Sequence, residues 1–403
     1  MVTKRRYHSL FVSALVVYLL IVPIEPGANR ATPAEAPVLN RHDVARLLSD
    51  HVSRNEFPER IMVPLPHGEV ETQVTYTLEP HLQDVIERVY QRYKPDYAAF
   101  VALDAETGRI LSLASYEKDA GGLGNLALRA SYPAASIFKI VTAAAALEEG
   151  VADPSTVVPY NGKSTSLYKR QVFRHRNNKW TRRITLSDAF AKSVNTVFAR
   201  LGVFDIGAQT LHEYAGRFGF NQSIESDLLF KESVAPIAAE DEWTLAEAAS
   251  GFTRSNTLSP LHGAMIAAVV VNDGKMFNPY IVEQLADENQ VVDYRAIPEV
   301  IGASIRPATA AKLRKLMVST VQKGSARRSF RKFFRNDLRD VEVGGKTGSL
   351  TGTSPKGRND WFIGYAAHNG RKVAFASLTV NREKWTVKSA YVARKIIEAY
   401  YEQ

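Results

Sequence analysis

Apolar residues recur at helical spacing over residues 79–93, where Leu82, Val85, Ile86, Val89 and Tyr90 share one face and Pro80 stands near the start. That spacing predicts a helix. The pattern then shortens. Residues 97–103 and 109–114 are apolar runs flanking Asp104-Ala-Glu-Thr-Gly108, which predicts a β-hairpin with a glycine-containing turn. A glycine-rich loop over 120–128 leads to a long apolar helix that begins near Ser136 and stops near Gly150. Further helices are expected over 185–201 with a stop at Gly202, over 208–218 ending at Gly219, and from Ser259-Pro260 to Asp273-Gly274. Another covers 309–323 and ends at Gly324. Near the C-terminus the period returns to strands, at 341–345, 361–367 and 373–380, with a polar loop over 349–359 and a closing amphipathic helix over 389–400. Two strands early and three late predict one antiparallel sheet built from both ends of the domain. Helices would cover it in an α/β (α+β) fold with a helical subdomain.

The first 95 residues read differently. Lys4, Arg5 and Arg6 precede an apolar run over 10–24, a positive-inside pattern that places the rest of the chain outside the cytoplasm. The run is taken as an uncleaved membrane anchor, with a signal peptide as the alternative. Residues 1–28 are therefore expected as cytoplasmic tip and anchor, and 29–95 as a linker and small stalk. The expected localisation is the cell membrane, single-pass, with the large C-terminal domain on the extracytoplasmic, periplasmic side. With 403 residues and 45% hydrophobic content the chain can bury a large core without disulfides, and it has no cysteine. Thiol chemistry and thiolate metal sites are thereby excluded.

The formal charge of +9 is concentrated in two clusters, Lys169 to Arg183 and Arg327 to Arg335. A solvated surface accounts for them, and so does an electrostatic guide for an anionic substrate. No nucleic-acid motif accompanies them, so no nucleic-acid partner is expected.

Candidate chemistry starts at Tyr132-Pro-Ala-Ala-Ser-Ile-Phe-Lys139. Ser136 and Lys139, three apart in a helix, share a face. A serine hydroxyl needs a base to become a nucleophile, and a lysine in an apolar, cation-rich site can lose its charge and be that base. The S-x-x-K pattern also occurs at Ser115, Ser166 and Ser329, but only Ser136 opens a long apolar helix. Ser193-Val-Asn195 offers a hydroxyl to relay a proton and an amide to hold a substrate amide, on a loop between short helices; Ser53-Arg-Asn55 has the same spacing. Lys346-Thr347-Gly348 occurs once. A lysine and a hydroxyl at a strand edge can hold a carboxylate, and a glycine lets a substrate lie along that edge. The histidines show no metal-ligand spacing, so neither metal nor cofactor is expected.

In this order, S-x-x-K, S-x-N and K-T-G resemble the catalytic set of penicillin-recognising serine enzymes, with Val194 standing where the related S-D-N motif has aspartate. From about residue 96 to 403 the chain resembles the transpeptidase domain of penicillin-binding proteins. The resemblance rests on these motifs, on 100–111 and on Asp360-Trp-Phe-Ile-Gly-Tyr365. It implies a β-lactamase/transpeptidase-like fold in a small, monofunctional, membrane-anchored member. It also implies a peptidoglycan D,D-transpeptidase. Ser136 would attack a D-alanyl-D-alanine stem peptide with Lys139 as base. Backbone N–H groups of Ser136 and Ser349 would hold the oxyanion. Ser193 and Lys346 would pass a proton to the leaving amine. Asn195, Thr347, Gly348 and Ser349 would bind substrate. Stem peptides, β-lactams as covalent inhibitors, the membrane and cell-wall assembly proteins are the partners implied. The alternatives are a class D-type β-lactamase or β-lactam sensor, a D,D-carboxypeptidase, and a non-catalytic envelope scaffold.

Overall fold

The computed structural model describes residues 39–402 apart from 66–67, 120–121, 175, 238–240, 290 and 336. The expected anchor over 1–28 lies outside the described residues. Among those described, no helix is long and apolar enough to cross a membrane.

Five antiparallel strands form the central sheet: β1 (Tyr97–Asp104), β2 (Ile110–Glu117), β3 (Glu342–Thr353), β4 (Lys356–His368) and β5 (Arg371–Asn381). Their order is β3-β4-β5-β1-β2. The β5–β1 pairing, with Phe375 opposite Ala102, joins the two ends of the domain as expected. Alternation along β1 shows why these residues form a covered strand. Ala99, Val101 and Leu103 enter one core, while Ala98, Phe100 and Ala102 enter the other.

The helices that cover the sheet and build the cleft are α1 (Pro80–Tyr93), α2 (Lys139–Glu148), α3 (Leu186–Ala191), α4 (Asn195–Arg200), α5 (Glu242–Ser250), α6 (Pro260–Val271), α7 (Pro307–Gln322) and α8 (Ser389–Tyr401). Helices α1 and α8 pack their apolar residues into the core on one side of the sheet. On the other side lies α6, every residue of which is buried. Its sequence is apolar all round, as a helix enclosed by protein must be. Ser259 caps it by accepting the His262 N–H.

Three expectations are corrected. Residues 349–359 are not a loop: β3 and β4 run through them as one long hairpin, with pairing from Glu342↔Ala367 to Thr353↔Lys356. The polar composition there reflects an edge strand with one face on solvent. Residues 185–201 are not one helix but two short ones, with the break at the loop that the reading of Ser193-Val-Asn195 required. Helix α3 ends at Ala191, Ser193 takes φ +56°, and α4 starts at Asn195. Nor does Gly202 stop the chain, which continues through a π-helical turn to Gly207. Finally, the described part of the expected stalk is folded onto the domain. Helix Arg41–Ser53 puts Val44, Leu48 and Val52 in the main core, and strand Gly68–Tyr76 pairs with Val282–Asp287. Residues 37–403 form one compact unit. That strand buries only Thr72 and Val74, too few to leave a clear period.

One contact ties α5 to the cleft. Gly251 follows α5 with φ +64°, and a Cβ there would lie 2.0 Å from the Ala135 carbonyl oxygen. Gly150 has a similar φ of +72° but open space around it. In denaturant unfolding, Gly150→Ala should cost about 1 kcal/mol, the backbone term alone. Gly251→Ala should cost about 3 kcal/mol or more, because backbone must also move. Equal losses would contradict this packing.

Candidate active site

The chain is held firmly just before Ser136. Tyr132 and Pro133 pair with Leu258 and Thr257, and the Ala134 N–H donates to the Asn256 carbonyl at 2.7 Å. The indole N–H of buried Trp361 donates to the Pro133 carbonyl at 3.0 Å. Ala135 then turns the backbone with φ +49°. A 3₁₀ turn, Ala135–Phe138, runs directly into α2. Its apolar residues Ile137 and Phe138 are buried, so Ser136 is left at the cleft and Lys139 lies beneath it. The two side chains meet, with Lys139 Nζ 2.8 Å from Ser136 Oγ.

Lys139 is fully buried. Its amine also donates to Asn195 Oδ1 at 2.8 Å and to the Ser250 carbonyl at the end of α5. Burial, and secondarily the charge of Lys346, hold its pKa well below the ordinary lysine value. A neutral amine has two N–H donors and one lone pair. The Ser250 carbonyl can only accept, as does the Asn195 oxygen, so these two take the N–H groups. The lone pair is left facing the one partner that can donate, the Ser136 hydroxyl.

Lys346 is equally buried. Its amine donates to Ser193 Oγ at 3.0 Å and to the Thr347 carbonyl at 2.8 Å. Burial brings its pKa down to about 7. The Lys139 pKa is driven down by burial and by the charge of Lys346, so of the two amines Lys346 is the one that holds its proton longer. Aromatic rings line both amines: Phe198 centres 5.7 Å from Lys139 Nζ and Phe190 5.5 Å from Lys346 Nζ. Ser193 reaches Lys346 because its positive φ breaks the helix between α3 and α4.

The third motif lies within β3, not after a strand as its glycine suggested. Position 348 packs against the Ser136 turn, where a Cβ would sit 3.1 Å from Ile137 Cγ1 and 3.3 Å from the Ala134 oxygen. Thr347 Oγ1 is 2.5 Å from Ser325 Oγ. Ser349 accepts from Arg358 Nε at 3.4 Å. Ser136, Ser193, Asn195, Thr347, Gly348 and Ser349 line one cleft of about 650 Å³, with Lys139 and Lys346 buried beneath it. All eight expected residues are thus brought together.

Of the rival matches, Ser329 lies on the lining of this same cleft, but its Lys332 is exposed rather than buried; the others are occupied elsewhere. Ser115 accepts the Leu126 N–H, Ser166 donates to the Lys163 carbonyl, and Asn55 pairs with Asn125. Two groups at the site escaped the sequence reading. The Ser250 contribution is a backbone carbonyl, which no side-chain motif can announce. Ser325 lies in the turn after α7; the Gly324 that signals the helix stop was its only marker.

Comparison with known proteins agrees with this geometry. The model of the "Penicillin binding protein transpeptidase domain" matches residues 98–399. The peptidoglycan D,D-transpeptidase PbpA of Mycobacterium tuberculosis is 29% identical over 395 residues, covering 86% of this chain and 73% of that protein. PbpA of Mycolicibacterium smegmatis is 29% identical over 77% of this chain and 67% of its own length. Among solved structures, the imipenem acyl-enzyme complex of M. tuberculosis penicillin-binding protein A superposes with a TM-score of 0.66 at 28% identity, over 82% of this chain and 79% of that one. The D,D-transpeptidase domain from Eggerthella lenta gives 0.68 at 28% identity, over 82% and 83%. With its three motif segments folded onto one cleft and matched over most of its length, this chain belongs to the penicillin-binding protein transpeptidase family.

Proposed function

We infer that this chain is a peptidoglycan D,D-transpeptidase that forms an acyl-enzyme on Ser136 with stem peptides ending in D-alanyl-D-alanine. The observation that carries the reading is the 2.8 Å contact between the Ser136 hydroxyl and a fully buried Lys139 amine whose N–H groups are already spent on carbonyls. Lys139 takes the serine proton as Oγ attacks the penultimate D-alanine carbonyl. Backbone N–H groups of Ser136 and Ser349 stabilise the oxyanion. The Asn195 side chain gives its oxygen to Lys139, which leaves its NH₂ to hold the substrate amide carbonyl. Cationic Lys346 and the hydroxyl of Ser193 deliver a proton to the departing D-alanine. Thr347, paired with Ser325, binds the terminal carboxylate. An amine from a second stem peptide then resolves the ester to a cross-link; water in its place gives a carboxypeptidase product.

Penicillins present a strained amide and a carboxylate at comparable positions, so they acylate the same serine and remain there. The relatives PbpA are named for the transpeptidase reaction, and penicillin-binding protein A forms acyl-enzymes with imipenem, ceftriaxone and penicillin G. We also propose that residues 1–28 anchor the chain in the cell membrane, with the catalytic domain on the extracytoplasmic side, on the strength of the Lys4-Arg5-Arg6 flank and the apolar run behind it.

A fluorescent penicillin should leave one covalent adduct on the purified chain, mapped by mass spectrometry to Ser136 and absent in Ser136→Ala. Rapid release of hydrolysed drug would favour a β-lactamase instead. The second-order acylation rate should be bell-shaped in pH. Its acid limb follows protonation of Lys139. Its alkaline limb starts near pH 7, where Lys346 loses its charge, and moves to higher pH in Lys346→Arg. An alkaline limb unmoved by that substitution would show that Lys346 is not the group titrating.

A further inference from the structure

The basic segment before Ser193 has no part in the chemistry so far. Between residues 154 and 187 the chain carries eight Lys and Arg residues (163, 169, 170, 174, 176, 179, 182 and 183) and no Asp or Glu. The segment is anchored at the active site, where the Asn195 N–H donates to the Ser164 carbonyl at 2.9 Å. Two short paired strands, Val157–Tyr160 and Arg182–Thr185, form one wall of a groove of about 480 Å³. Arg182, Arg183 and Lys192 line it and are exposed, with buried Tyr160 and Ile184 beneath them. Among the described residues none of these three cations forms an ion pair. The one carboxylate lining the groove, Asp188, is taken by Lys323 at 2.7 Å. Lys192 lines both this groove and the active-site cleft, so the two adjoin at that residue.

The side of the cleft on which they adjoin matters. Lys192 immediately precedes Ser193, the hydroxyl that faces the departing amine in the mechanism above. By microscopic reversibility the incoming amine arrives where the outgoing one departs. In the second half-reaction the amine nitrogen bonds to the acyl carbon and the C–Oγ bond of Ser136 breaks. The electron pair returns to Oγ, and the amine proton reaches it through the polar groups of the cleft. The peptide behind that nitrogen is too long for the space a single D-alanine vacates, and the groove beyond Lys192, next to Ser193, offers it a path.

We propose that the groove lined by Arg182, Arg183 and Lys192 is the binding site for the acyl acceptor, and that it selects an acceptor peptide bearing free carboxylates. The inference rests on the transpeptidase reading and adds the acceptor's place and charge to it. Unpaired cations along a groove favour an anionic strand through complementarity of charge, and their effect is screened by salt. An acyl donor or a penicillin, held between Ser136 and Thr347, does not reach it.

The test compares two acceptors with the purified chain and one D-alanyl-D-alanine donor peptide. One acceptor is a short peptide with a side-chain amine and free carboxylates; the other is the same peptide with every carboxylate amidated. Wild type should capture the free-carboxylate acceptor preferentially, and the preference should shrink in high salt. Arg182→Gln/Arg183→Gln should cut capture of the carboxylate acceptor about tenfold. It should leave the amidated one, and acylation by penicillin, near wild type. Arg182→Glu/Arg183→Glu should reverse the preference. An unchanged preference in both variants overturns the proposal, as does an equal loss with both acceptors. So does a loss confined to binding of anionic vesicles or nucleic acid. If penicillin fails to acylate wild type, the transpeptidase reading falls and takes this inference with it; normal acylation without acceptor preference defeats the inference alone.

Discussion

Everything in this cleft depends on an amine that has been taken out of water. An ammonium ion is costly to bury, and Lys139 is buried completely with a second lysine nearby. The fold offsets the loss of solvent with oxygens from three separate segments: the hydroxyl of Ser136, the amide of Asn195 and the last carbonyl of α5. Two of the three can only accept. The amine therefore settles as a neutral group with its lone pair on the serine, and the nucleophile is prepared before substrate arrives. Lys346 lies in an equally dry place, with one hydroxyl and one carbonyl as partners, and burial brings its pKa down to about 7, so its charge is held only up to neutral pH.

That arrangement demands close approach of backbones that are far apart in sequence. The turn at Ala135 and Ser136 touches Gly251 on one side and Gly348 on the other, and at neither place is there room for an unhindered side chain. Trp361, on the strand beside β3, reaches back to the Pro133 carbonyl and so fixes the distance between the nucleophile turn and the third motif. On the far side, Gly324 and Ser325 join α7 to the other two segments. The Ser325 N–H donates to the Ala191 carbonyl, and its hydroxyl meets Thr347. The second and third motifs are thus tied together by a turn that belongs to neither.

Much of this was legible in the residues and some was not, for physical reasons. The Ser136 helix stood out because Ile137, Phe138, Ile140 and Val141 had to be buried, which left few places for the hydroxyl and amine to face. The sheet built from both chain ends followed from runs such as Phe100-Val101-Ala102, covered on two faces. The break at Ser193 was blurred because flanking apolar residues such as Phe190 and Phe198 keep the helical period through it; only a left-handed φ at a non-glycine residue marks it. The continuation of β3 and β4 past Ser349 was hidden by the polarity of a strand that borders a cleft. The share taken by α5 was invisible because its contribution is a carbonyl, identical in every residue. The packing of 39–95 onto the domain was missed because its strands bury so few side chains.

The most direct test of this account is the ionisation of Lys139 itself. Lysine labelled with ¹³C at Cε, followed by NMR across pH and assigned by loss of one signal in Lys139→Met, reports that state without reference to turnover. The account predicts that the signal lost in Lys139→Met is already that of a neutral amine at a pH where an ordinary lysine is still fully charged, and that it gains its proton only well below the ordinary lysine range. A Lys139 signal that stays cationic up to pH 10 would contradict it.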